Sequence, residues 1–213
     1  MHTDTVERVT TPRPLSPGRR ATLRRRIRLL VSATIGYNVI ESAVALTAGA
    51  HASSTALIGF GLDSVIEVSA AAAVAWQFAA DDPERREKAA LRFIAFSFFA
   101  LAAYVAVESV LSLAGYREAR PSTVGIALAA VSLLVMPGLS WLQIRTGRRL
   151  GSRSAVANAK QTLLCSYLSA VLLIGLGLNA AFGWSWADPI AGLTIAGFAV
   201  REGREAWRGN PCC

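Results

Sequence analysis

Histidine is almost missing from this chain: there are two, His2 near the start and His51 between two apolar stretches. That excludes a zinc-protease pair of histidines on one helix. It also leaves the serines of the apolar stretches without a basic partner for nucleophilic chemistry, so no enzyme is expected. Cysteine is nearly as scarce. Cys165 lies inside an apolar stretch and Cys212 and Cys213 end the sequence, which offers no disulfide framework. Charge is thin as well. Only 17% of the residues are Asp, Glu, Lys or Arg, where a soluble domain carries about a quarter.

What fills the chain instead is apolar: 53% of 213 residues are hydrophobic, and the charges are separated by long uncharged runs. A run of ~20 apolar residues is the length a helix needs to cross a ~30 Å hydrocarbon layer. Six such runs occur, at residues 27–49, 54–80, 89–115, 122–144, 155–182 and 187–207. The expected fold is therefore all-α, a polytopic membrane protein built as a six-transmembrane-helix bundle. A cleaved signal peptide is a rival for the first run, but the run is longer than a signal core and carries Asn38 and Glu41.

The formal net charge of +8 raises the question of a nucleic-acid partner. Its distribution answers it. With the N-terminus in the cytoplasm, twenty Lys and Arg residues fall on that side and only Arg117 and Arg120 on the other. Basic residues stay cytoplasmic during insertion, so this asymmetry places both termini inside and needs no nucleic acid. Three regions follow: a disordered basic cytoplasmic tail over 1–26, a transmembrane domain over 27–208, and a short cytoplasmic tail over 209–213. Tyr116, Trp184 and Trp186 fall where aromatic rings anchor at a membrane interface. Abundant Ala and Arg fit a bacterial inner membrane.

Against this apolar background a few polar residues stand out. An ionised side chain at bilayer depth costs ~2.5–3.5 kcal/mol on insertion scales. At a rise of 1.5 Å per residue, Asp63 and Glu67 lie ~14 and ~20 Å from the outer start of the second span. Asn38 and Glu41 lie ~16 and ~21 Å into the first span, and Gln161 and Cys165 ~9 and ~15 Å into the fifth. All six thus sit around mid-membrane, whereas Glu108, ~28 Å along its helix, reaches the outer surface. Asp63 and Glu67 are four apart and project from one helix face, and Asn38 and Glu41 share a face at a spacing of three. Asn158, Gln161, Thr162, Cys165 and Ser169 form a polar stripe on the fifth span. A hydrogen-bond network that only locks helices together explains that stripe as readily as a binding site does. It explains the acidic pair poorly, because neighbouring buried anions repel unless a cation or a proton neutralises them.

A divalent cation is the economical answer, with Asp63, Glu67, Gln161 and Cys165 supplying four donors. Carboxylate and amide oxygens suit hard or borderline ions, and a thiolate draws toward softer ones. Zinc, manganese, iron, cobalt and cadmium are not distinguished by this set. Asn38 and Glu41 are accessory or proton-coupling candidates, since the same carboxylates can exchange protons for metal. The terminal Cys212 and Cys213 allow soft-metal capture, lipidation or simply a frayed tail.

Two stretches carry a family resemblance. The second span reads STALIGFGLDSVIEVSAAA, and the fifth and sixth read KQTLLCSYLSAVLLIGLGLNAAFGWSWADPIAGLTIAGFAV. The acidic pair after a Gly-rich start, and the Asp-Pro-Ile opening of the sixth helix, resemble the cation diffusion facilitator (cation efflux) family, over nearly the whole chain after residue 25. The resemblance implies a metal bound between the second and fifth spans and exported by proton antiport across a homodimer. Glu67 stands where the family more usually has a second Asp. Gln161 and Cys165 stand where it commonly has His or Asp and then Asp. The chain also stops within about ten residues of its last span, so the likeness is to a short subgroup lacking the C-terminal cytoplasmic domain. A non-transporting metal-binding or regulatory protein of the same fold is the alternative, and a multidrug exporter a further one.

Overall fold

Each apolar run of the sequence becomes one helix. The computed structural model describes residues 17–78, 83–150 and 153–208, and among these there are six helices and no strand. They are α1 (Pro17–Ala52), α2 (Thr55–Phe78), α3 (Pro83–Leu113), α4 (Thr123–Leu150), α5 (Arg153–Phe182) and α6 (Ala187–Trp207). The start of α1 differs from expectation. The sequence places residues 17–26 in a disordered tail, whereas in the structure they are helical. Proline in a first turn has a fixed, helix-compatible φ and no N–H to leave unsatisfied, and the arginines that follow are good helix formers. Residues 1–16 and 209–213, with Cys212 and Cys213, lie outside the described residues.

The outer turns are short and chemically specified. Between α1 and α2 the chain reverses at Ser53 (φ 53°), with Ser54 N–H donating to Gly49 O at 3.0 Å. After α3 and α5 the left-handed position is held by Gly115 (φ 85°) and Gly183 (φ 68°), the residue type for which that conformation carries no steric cost.

Five of the described helices are long and apolar enough to cross a membrane, and α6 is not among them. Its charged residues Arg201, Glu202, Arg204 and Glu205 crowd its last two turns. The stretch before them, residues 187–200, extends only ~21 Å. The helix nevertheless packs inside the bundle, burying Ala191, Gly192, Ile195, Ala196 and Ala199 against α2, α3 and α5. Close approach depends on small residues. A Cβ at Gly61 would lie 3.0 Å from the Cβ of Ala45, and one at Gly192 would lie 2.6 Å from Ser109 Oγ. Not every glycine works this way: Gly177 and Gly197 face open space.

The interior is divided along the membrane normal. Ala45, Leu57, Phe60, Ala129, Leu168, Leu172, Leu176 and Ile195 form one apolar cluster, and all come from the outer halves of their helices. Toward the inner side polar residues are buried as well, Thr34, Asn38, Ser140, Gln143, Thr162 and Glu202, among small apolar ones such as Ala95, Ala159 and Ala199. Gln143 Nε2 donates to Thr34 Oγ1 at 2.9 Å, and Ser140 Oγ to the Ala159 carbonyl at 2.6 Å.

The outer end is fastened by Asp188, fully buried in the first turn of α6. Its carboxylate accepts a short hydrogen bond from Ser54 Oγ and one from Thr55 N–H at 2.9 Å. Ala56 N–H adds a longer one at 3.4 Å. Ser54 Oγ in turn accepts from Leu57 N–H at 3.1 Å, an N-terminal cap for α2. One anion thus serves two helix N-termini, its own and that of α2, both of which favour negative charge. Asn179 Nδ2 to Ala119 O (2.9 Å) and Arg120 N–H to Ala52 O (2.8 Å) tie the remaining outer loops together.

Asp188→Ala would leave the Ser54 hydroxyl and two α2 amides buried without their acceptor. A loss of about 3 kcal/mol is expected, read as a lowered thermal midpoint in detergent. An unchanged midpoint would show that α2 is capped some other way.

Candidate cation site

The site begins with the local geometry of α2. Residues four apart on a helix lie one above the other, so Asp63 and Glu67 face the same neighbours. One of these is Cys165 of α5. A ligand atom from each of Asp63, Glu67 and Cys165 lies within 4.8 Å of the others, with Asp63 and Cys165 buried and Glu67 half-buried. An ion held at about 2.0–2.3 Å from each donor would need these atoms to close in by about 1 Å, a side-chain adjustment. The Cys165 thiol donates to Glu67 Oε1 at 2.7 Å, which draws α2 and α5 together at the point of convergence.

Sequence reasoning put Asn38 and Glu41 on one face of the first span. The structure sends them to different partners. Asn38 Nδ2 donates to Glu67 Oε2 at 2.7 Å, so α1 reaches the site through it. Glu41, 1% exposed, is engaged elsewhere: Ser64 Oγ donates to its Oε2 at 2.8 Å and Ser132 of α4 donates to its Oε1. The Tyr37 hydroxyl joins Ser132 Oγ at 2.6 Å. Both carboxylate oxygens of Glu41 are thereby taken by hydroxyl groups, on α2 and α4.

On the α5 stripe, Thr162, Cys165 and Ser169 are buried. Ser169 Oγ donates to the carbonyl of Cys165 at 2.7 Å, so this hydroxyl is satisfied within its own helix and the upper part of the stripe is packing. Gln161 stands on α5 one turn before Cys165, and its side chain, like that of Asn158, lies outside the described residues. Glu108 is elsewhere altogether, paired with Arg117 at 3.0 Å at the outer end of α3, in keeping with its depth along that helix.

Four residues escaped sequence reasoning. Ser132 and Tyr37 read as ordinary members of apolar spans, and their only signal was a hydroxyl near the depth of Glu41. Asp188 entered only through the Asp-Pro-Ile motif that opens α6, although an acid in the first turn of a helix after a tryptophan pair was a visible hint. Glu202 was masked by its basic neighbours Arg201 and Arg204, yet it is buried.

The family model described as the cation efflux transmembrane domain matches residues 31–209. An uncharacterized transporter of Synechocystis sp. is 31% identical over 97 residues, which are 46% of this chain and 30% of that protein. Metal tolerance protein 2 of Oryza sativa subsp. japonica is 32% identical over 78 residues, 37% of this chain and 20% of that protein. The matched stretches thus span less than a third of the length of either relative.

Removing the buried carboxylate at the convergence, Asp63→Ala, is expected to abolish divalent-cation binding while the protein stays folded in detergent. Glu108→Gln, which loses only an outer ion pair worth about 0–1 kcal/mol, should leave binding unchanged. Titration of a divalent metal into the two purified variants checks both. Wild-type affinity in Asp63→Ala would remove α2 from the site.

Proposed function

The chain belongs to the cation efflux family, whose members are transporters rather than enzymes, and from that premise we propose that it carries a divalent metal cation out of the cytoplasm in exchange for protons. One observation carries the proposal: metal-ligating atoms of Asp63, Glu67 and Cys165 converge from two helices in the interior of a membrane bundle. Gln161, one turn before Cys165, completes the proposed ligand set. Two carboxylates and a thiol also suit exchange. Their charge is neutralised either by the metal or by protons, so one occupant can leave only as the other arrives. Glu41 is the accessory group for proton coupling, since its carboxyl accepts a hydrogen bond from Ser64, the residue adjoining Asp63.

The division of the interior supports loading from the inner side. Outward of the site the bundle is filled by Leu57, Phe60, Leu168, Leu172 and Leu176, and inward of it the buried residues include the polar Thr34, Ser140, Gln143 and Glu202. The working unit is proposed to be a homodimer in a bacterial inner membrane, with both termini cytoplasmic. A second reading has the same fold holding metal without cycling it. The observation that favours it is Cys165, because a thiolate grips borderline ions more firmly than a carboxylate does.

Flux of zinc, manganese, iron, cobalt and cadmium into proteoliposomes, with and without a pH gradient, separates the two. The expected result is gradient-dependent flux of at least one ion that Asp63→Ala loses. Cys165→Ser should shift the ranking away from cadmium and toward manganese. No flux of any metal, together with binding that still needs Asp63, would replace transport with the holding role.

A further inference from the structure

The amide of Asn38 is only half used. Its Nδ2 donates to Glu67 Oε2 at 2.7 Å. Its Oδ1 is buried in a side chain 3% exposed and has no hydrogen-bond donor within reach among the described residues. A carbonyl oxygen near the middle of a bilayer bundle rarely goes unpartnered, because neither water nor lipid compensates it. If Asn38 served only to staple α1 to α2, its N–H would suffice and the oxygen would be a pure cost. The oxygen is also close to the site. Both amide atoms stand on one carbon, so a half-turn of the amide exchanges them and puts Oδ1 beside Glu67 Oε2. Two oxygens bound to one tetrahedral ion at about 2.0–2.2 Å stand about 3.4 Å apart, so the pair would need to open by less than about 1 Å from the separation that Nδ2 and Oε2 have.

We propose that Asn38 is a cation ligand from α1: its N–H₂ holds Glu67 while the site is without metal, and its carbonyl oxygen turns to the ion once the ion takes over Glu67. This rests on the reading of Asp63, Glu67 and Cys165 as the cation site. It brings a third helix to that site and supplies a fourth donor among described side chains. Among the described side chains the donors are then two carboxylates, one amide oxygen and one thiolate. Three oxygens with one sulfur suit borderline divalent ions such as zinc and cobalt better than magnesium or calcium, which take oxygen ligands alone.

Cobalt(II) is the probe, because its visible ligand-field bands report the atoms bound directly to it. Cobalt is titrated into the purified full chain in detergent, comparing wild type with Asn38→Asp, Asn38→Leu and Asp63→Ala. The Asp variant keeps an oxygen at the position but cannot hold Glu67 through an N–H. The expected result is affinity in Asn38→Asp at least equal to wild type, with displaced ligand-field bands. Asn38→Leu is expected to bind at least about 10-fold more weakly. Bands in Asn38→Asp that superimpose on those of wild type would overturn the proposal, whatever the affinity. So would an affinity loss in Asn38→Asp as large as that in Asn38→Leu, which would make Asn38 a positioning residue acting through its N–H. If Asn38→Leu does not fold, the Asp variant alone decides. No cobalt binding by wild type, or full binding by Asp63→Ala, would instead overturn the site itself.

Discussion

Two carboxylates one helical turn apart in the middle of a bilayer cannot both stay charged and unpartnered. That constraint organises the rest of the molecule. Asp63 and Glu67 are fixed to one face of α2 by helix geometry, and the cost of burying two like charges leaves three remedies: protons, a cation, or donors from neighbouring helices. The structure supplies the third in part, through the Cys165 thiol and the Asn38 amide, both directed at Glu67. The first two remedies are interchangeable occupants of the same place. A transporter that exchanges metal for protons needs that equivalence.

The surroundings divide the bundle into halves of different character. Outward of the acidic pair, leucines, Phe60 and Ile195 pack into an apolar core, and Asp188 fastens the start of α6 to the start of α2 above it. Inward, threonine, serine, glutamine and glutamate are buried among small apolar residues such as Ala95, Ala159 and Ala199. A dry, well-packed region opposes the passage of an ion, and a polar one lowers the desolvation cost of approach. The same asymmetry explains how α6 can end in a charged stretch. Its last turns lie at the polar end, where Arg201 pairs with Glu205 at 3.2 Å.

Neighbours on one helix face need not share a task. Asn38 and Glu41 are three residues apart, yet one turns to Glu67 and the other to the hydroxyls of Ser64 and Ser132. Glu41 is thereby a carboxyl held by two hydroxyls, one of them on Ser64, which adjoins Asp63 in the chain. Ser169 makes the opposite point. It belongs to the polar stripe of α5 by spacing, but its hydroxyl closes on its own helix and leaves Cys165 to face α2.

The number of helices and their order were legible in the sequence, as were the charge asymmetry and the single-face geometry of Asp63 and Glu67. Most helix ends were too, although α3 starts six residues earlier and α4 ends six residues later than their apolar runs. All of these are local properties: apolar run length, the 3.6-residue period and the position of Lys and Arg do not depend on which helix lies beside which. The extended start of α1 was not legible, because arginines that read as a soluble tail are also good helix formers once a proline opens the helix. Only the tertiary structure decided that Cys165 and Asn38 meet Glu67, that Ser132 and Ser64 share Glu41, and that Asp188 caps a helix 132–134 residues away in sequence. Those meetings are set by the rotation and depth of each helix against its neighbours. Contacts such as Gly61 on Ala45 and Gly192 beside Ser109 fix that rotation, and no single span carries enough information to specify it.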